Sequence, residues 1–221
     1  MAVDESILRR VILALDTTEI DQACAWVQRF RDRVHAFKVG SALILRYGLD
    51  GLELLRQAGA TRLFLDMKFH DIPHAVALAV RQAAERGVWM LTLHLSGGRE
   101  MLQAARTAVA NLAMPPLLMG VTVLTSLDAP ALKELGIPRT PRAYALRLAQ
   151  LAYNCQLDGV IASPQEIASL RRRFPPPFLI VTPGIRPAGV PAADQKRVAT
   201  PEEALRWGAD YLVMGRALLG E

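Results

Sequence analysis

The chain has 221 residues, 52% of them hydrophobic and 6% aromatic, and a net charge of +5. That is enough apolar material for one sizeable core over residues 1–221, and no Ser/Gly-rich linker or low-complexity stretch divides it. The positive balance suits an anionic small-molecule ligand; nucleic acid is set aside, because aromatic residues are sparse and no basic run is interleaved with them.

Taken in order, Asp4 and Glu5 precede the first apolar run, a pattern unlike a secretory signal. Val11–Leu15 reads as a strand ending at Asp16. Thr18-Glu19-Ile20-Asp21 then starts a helix with an acidic first turn, continued by Ala23, Trp26, Val27 and Phe30. Ala36–Gly40 is a second strand, with Lys38 near its end. Helical sequence follows through Leu43, Ile44, Leu52, Leu54 and Leu55. The third strand carries the densest chemistry: the apolar run 62–65 opens directly into Asp66-Met67-Lys68-Phe69-His70-Asp71-Ile72-Pro73. In a strand, Asp66 and Lys68 share one face, and Asp71 falls where the chain must turn. An exposed ion-pair cluster would be the plain alternative. Charges at the mouth of a core strand instead point to a site.

Val76–Ala84 is helical, Val88–Leu93 is a fourth strand ending near His94, and Gly97-Gly98 leads into a helix over 101–112. Residues 107–127 carry no charge, but Asn111, Pro115, Pro116, Gly120 and three threonines argue against a membrane span. Leu117–Val123 is a fifth strand. Thr140-Pro141, Ser163-Pro164 and Thr200-Pro201 each read as an N-cap followed by proline at the first helical position, the latter two with Glu166 and Glu203 completing capping boxes. Between the caps lie strands at 159–162 and 178–182, and the eighth strand is 211–214. Arg171-Arg172-Arg173 reads as a polar last helical turn. Cys24 and Cys155, far apart and without metal-like spacing, read as buried thiols in a reducing compartment.

Eight alternations of strand and helix without a hairpin signal imply parallel strands and right-handed crossovers. They fit a closed (β/α)8 barrel better than an open doubly wound sheet. In such a barrel the site gathers at the C-terminal strand ends. Those ends carry Asp16, Lys38, Asp66, Lys68, His94, Thr125 and Arg216. After the seventh strand comes Pro183-Gly184-Ile185-Arg186-Pro187 and an irregular segment to Ala199. After the eighth comes Gly215-Arg216. These loops suit a phosphate, a glycine admitting backbone N–H groups and an arginine forking onto the anion. The irregular segment has the length of a working lid, and its Gln195 could reach back to a ligand.

The run Phe64–Pro73 closely resembles the signature of the orotidine 5'-phosphate decarboxylase family. The similarity continues through Ala14-Leu15-Asp16, Lys38-Val39-Gly40, 121–126, 181–187, Asp194-Gln195 and Gly215-Arg216. The resemblance implies a cofactor-free, metal-free (β/α)8 homodimer in the cytoplasm, with active sites at the subunit interface, that converts orotidine 5'-phosphate to uridine 5'-phosphate and carbon dioxide. By matching motif, Lys68 would protonate C6 of the pyrimidine, and Asp66 would stand beside the substrate carboxylate. Asp71 would come from the partner subunit and complete the charged array around the ribose 2'-hydroxyl, position 75 would also come from the partner, and Ile72 would join the substrate-binding residues. Asp16 and Lys38 would hold the ribose hydroxyls and Thr125, beside Ser126, the pyrimidine edge. Arg186, Gln195, Gly215 and Arg216 would grip the phosphate. The chemistry is consistent: the departing carbon dioxide leaves a poorly delocalised carbanion, which calls for a waiting cation, and neighbouring carboxylates favour the charged form of a lysine.

Two departures stand out. His74-Ala75 occupies the place of the family's Asn-Thr, removing a hydroxyl expected at the ribose. The sequence also reaches Glu221 soon after Arg216, so a last helix of about one turn is expected. The sequence also admits two rival readings. One is a magnesium-dependent enzyme acting on sugar phosphates, for which His70 and His74 could share a helix face; the other is a barrel that binds nucleotides without catalysis.

Overall fold

Strands buried on both faces need an unbroken apolar sequence, and β1 (Val11–Ala14) has one, with every residue buried. The computed structural model describes residues 3–187 and 198–220. After a short α1 (Glu5–Leu8), β1 leads to α2 (Ile20–Phe30), β2 (Ala36–Gly40), α3 (Ser41–Tyr47), α4 (Gly51–Gln57), β3 (Leu63–Phe69), α5 (Pro73–Glu85), β4 (Met90–His94) and α6 (Gly98–Val109). The chain continues through β5 (Leu117–Val121), α7 (Ala129–Glu134), α8 (Pro141–Asn154), β6 (Gly159–Ile161), α9 (Ile167–Arg173), β7 (Leu179–Thr182), α10 (Pro201–Trp207), β8 (Tyr211–Met214) and α11 (Arg216–Leu219). Each strand pairs in parallel with the next, and β1 pairs with β8, closing an eight-stranded barrel. The expected (β/α)8 barrel is therefore present, and α11 after β8 makes one turn.

The strand period of two divides the core. Inward residues Ile12, Ala36, Phe64, Met90, Met119, Val181 and Val213 fill the barrel, while the alternate residues pack outward against the helices. The same alternation places the next inward positions, Lys38, Asp66 and Thr92, one step nearer the C-terminal mouth, while Asp16 follows the inward Ala14 just past the end of β1.

Local chemistry explains most boundaries. Thr140, Ser163 and Thr200 cap as expected, and the latter two close full capping boxes with Glu166 and Glu203. At α2 the hydroxyl that accepts a backbone N–H, that of Glu19, is Thr17 rather than Thr18. The helical stretch 43–55 divides into α3 and α4, because Gly48 adopts φ 64°, a left-handed turn that ends α3. Arg171 is more than a polar last turn: it donates to the carbonyls of Gly208, Phe174 and Phe178 and pairs with Asp210, whose carboxylate also accepts the Ile180 N–H. Asp158 repeats the device at the neighbouring strand pair, accepting from Arg106 and the Leu118 N–H. Below, His35, Trp89 and Tyr211 close the barrel floor, their ring centroids 4.5–5.5 Å apart. Both cysteines are free; Cys155 is buried as expected, whereas Cys24 is half-buried.

Candidate active site

A cavity of about 250 Å³ opens at the C-terminal mouth of the barrel. Its apolar walls come from Ala14, Phe64, Val121, Val123, Ile161 and Val213. Asp16, Lys38, Asp66 and Lys68 stand on one side, and Arg186, Gly215 and Arg216 also line it, with Thr125 at its edge. Eight of the residues singled out in the sequence thus meet in one space, although they come from six different strand ends.

The charges form a chain. Lys38 Nζ lies 3.2 Å from Asp16 Oδ1 and 3.4 Å from Asp66 Oδ2. Lys68 Nζ donates to the same Asp66 oxygen at 2.9 Å. The side chains of Lys38 and Asp66 are each only 12% exposed, so the pairing compensates a real desolvation cost. Burial pulls the Lys38 ammonium toward its neutral form, but Asp66 and Asp16 outweigh it and hold its pKa above the ordinary lysine value. Burial pushes Asp66 upward, yet Lys38 and Lys68, with hydrogen bonds from Lys68 and Thr92, keep it below the ordinary carboxylate value.

Lys68 does not reach Asp66 by simple strand alternation. Its φ is 49°, left-handed, and the β3–β4 register shifts between Leu65 and Phe69. A bulge of this kind re-aims side chains, here turning the Lys68 ammonium onto Asp66. Thr92, which the sequence reading passed over, braces it: its hydroxyl accepts the Lys68 N–H at 2.8 Å and donates to Asp66 Oδ1 at 3.0 Å. Its only trace in the sequence is a polar residue inside the apolar run of β4. Ser163, read solely as a helix cap, also lines the cavity.

Asp71, Ile72 and Ala75 do not line this cavity. Asp71 is exposed beyond β3, its carboxylate accepting the Ile72 N–H at 2.6 Å, and Ile72 is 67% exposed. Ala75 sits half-buried in the first turn of α5. Ser126 is exposed outside the cavity lining. Gln195 and most of the expected lid segment lie outside the described residues. The shared helix face that the magnesium rival would give His70 and His74 is not formed: α5 begins at Pro73, so His70 precedes the helix, and its ring faces His94 at 5.3 Å. Burial, with His70 and Lys68 nearby, holds His94 below the ordinary histidine value. Among the described residues no group of three or more His, Cys, Asp or Glu side chains is placed to hold a metal ion, and no helix is long and apolar enough to cross a membrane.

Fold and site together define a (β/α)8 barrel protein whose strand mouths present paired lysines and carboxylates and, within the same cavity, two arginines. Comparison with known proteins makes this specific. Residues 9–221 match the model of the orotidine 5'-phosphate decarboxylase / HUMPS family, and the chain belongs to that family. It is 49% identical over 208 residues to the orotidine 5'-phosphate decarboxylase of Chromobacterium violaceum, covering 94% of this chain and 84% of that one. With the enzyme of the same name from Salmonella typhimurium it shares 47% identity over 207 residues, covering 93% and 84%. The crystal structure of orotidine 5'-phosphate decarboxylase from Lactobacillus acidophilus superposes with a TM-score of 0.81 at 34% identity, covering 94% of this chain and 90% of that one.

Proposed function

We infer that this chain decarboxylates orotidine 5'-phosphate to uridine 5'-phosphate in pyrimidine nucleotide synthesis. Family membership and the 47–49% identity to enzymes of that name support the activity. One observation carries the assignment of residues: a lysine ammonium 2.9 Å from a buried carboxylate, in a cavity that Arg186 and Arg216 also line.

The phosphate binds to Arg186, Arg216 and the backbone at Gly215, with Gln195 assigned to the same group by motif. Asp16 and Lys38 take the ribose hydroxyls, and Thr125 takes the pyrimidine edge. This places the C6 carboxylate against Asp66. The bond from C6 to the carboxylate carbon breaks, carbon dioxide leaves, and the electron pair stays on C6. A proton from Lys68 Nζ then forms the new C6–H bond. Asp66 repels the substrate carboxylate more than neutral carbon dioxide, so its charge favours departure, while phosphate binding holds the substrate in that position. An ammonium about 4 Å from a carbanion contributes roughly 4 kcal/mol at an effective dielectric of 20, part of the roughly 8–23 kcal/mol that enzymes commonly supply.

The working unit is a cytoplasmic homodimer. The exposure of Asp71 and Ile72, outside their own subunit's cavity, supports a role in the partner's site, with Ala75 alongside. No cofactor, metal, nucleic acid or membrane enters the scheme. The test is the loss of orotidine 5'-phosphate followed by ultraviolet absorbance, with sedimentation for the dimer. Turnover by the unmodified chain supports the reading, and inactivity of folded, dimeric protein overturns it.

A further inference from the structure

We propose that Thr92 is a positioning residue, a single buried hydroxyl that sets both the backbone of Lys68 and the orientation of Asp66. The proposal rests on the roles given to those two residues above. Leu65 pairs with Leu91 and Phe69 with Leu93, so Thr92 is the one β4 residue set against Asp66, Met67, Lys68 and the bulge they form. It is fully buried and points inward, two residues beyond the barrel-filling Met90.

A threonine hydroxyl has one proton to give. Thr92 Oγ1 accepts the Lys68 N–H at 2.8 Å, so its own proton is free for Asp66 Oδ1, 3.0 Å away. With Oδ1 occupied, Asp66 presents Oδ2 to both ammonium groups, Lys68 at 2.9 Å and Lys38 at 3.4 Å. The same bond gives the Lys68 N–H a partner where the ladder is interrupted, and so holds a non-glycine residue at φ 49°. Left-handed backbone is unfavourable for such a residue, and without the hydroxyl the bulge loses its restraint just where the ammonium is aimed. Thr92 does not line the cavity, so its effect falls on the reacting geometry rather than on substrate grip.

The test compares Thr92→Val, which keeps the shape, with Thr92→Ser, which keeps the hydroxyl, in steady-state turnover of orotidine 5'-phosphate, beside Lys68→Ala. For Thr92→Val, kcat should fall about 10- to 100-fold, the range for losing a hydrogen bond to a charged group, with KM changed less than about threefold. Thr92→Ser should stay within about threefold of the unmodified enzyme. Equal losses in both variants would assign the effect to the methyl group and overturn the proposal, as would a Thr92→Val enzyme with unaltered kcat or a change in KM alone. If Thr92→Val does not fold, Thr92→Ala is read by the same criteria. Undiminished activity in Lys68→Ala would instead overturn the catalytic roles on which the proposal stands.

Discussion

Replacing Asp66 by asparagine keeps the side chain's shape and removes only its charge. Lys68 lies 2.9 Å and Lys38 3.4 Å from the Asp66 carboxylate, attractions of about 6 and about 5 kcal/mol at an effective dielectric of 20. Lys68 is more than a third exposed, so solvent screens part of its share. Lys38 is only 12% exposed and would keep Asp16, itself 64% exposed. Relief of Asp66's own desolvation returns part of the loss, and breaking a buried pair typically nets about 3–5 kcal/mol. For a chain of this size that lowers Tm by roughly 6–20 °C. On the proposed mechanism the substrate carboxylate would also lose the repulsion that favours its departure, and a change of about 4 kcal/mol in the barrel mouth should slow kcat about a thousandfold. Differential scanning calorimetry and steady-state turnover check both effects. An Asp66→Asn enzyme that melts within 2–3 °C of the unmodified protein, a shift worth only about 1 kcal/mol, and retains its kcat would refute the view of Asp66 as the shared counter-ion.

Truncating Arg216→Ala should raise KM for orotidine 5'-phosphate about 10- to 150-fold, the loss expected for a charged hydrogen bond, with a smaller change in turnover of the phosphate-free nucleoside. Burial, then the nearby Arg62, hold His35 below the ordinary histidine pKa of 6.5. The unfolded chain therefore binds more protons than the folded one as pH falls through 6.5, and stability should drop from pH 7.5 to 5.5. His94, depressed in the same sense, contributes the same sign. His35→Phe should flatten the dependence of Tm on pH, whereas an unchanged slope would remove His35 as a source. Restoring a hydroxyl with Ala75→Thr should lower KM without altering the reaction, and an equal or higher KM would count against a role for that position at the ribose.

Much of the barrel could be read directly because parallel strands buried on both faces leave continuous apolar runs. The capping signals at Thr140, Ser163 and Thr200 also act within a few residues of themselves. Asp16, Lys38, Asp66 and Lys68 were visible because each charge interrupts such a run at its end. What could not be read depends on partners distant in sequence. Thr92 is one threonine in a strand until β3 bulges toward it. Arg171 is one of three consecutive arginines until Asp210 and three carbonyls surround it. The break between α3 and α4 turns on a single left-handed Gly48, which the helical pattern on either side conceals. His70 faces His94 and shares no helix face with His74 because α5 starts only at Pro73, a boundary that periodicity does not fix.

The most direct measurement is the turnover of orotidine 5'-phosphate by Lys68→Ala, with uridine 5'-phosphate affinity measured in parallel to show that the cavity is intact. If the ammonium delivers the proton to C6, kcat should fall at least about a thousandfold, a loss of about 4 kcal/mol or more, while product binding stays within about tenfold. A Lys68→Ala enzyme that turns over within tenfold of the unmodified chain would contradict it.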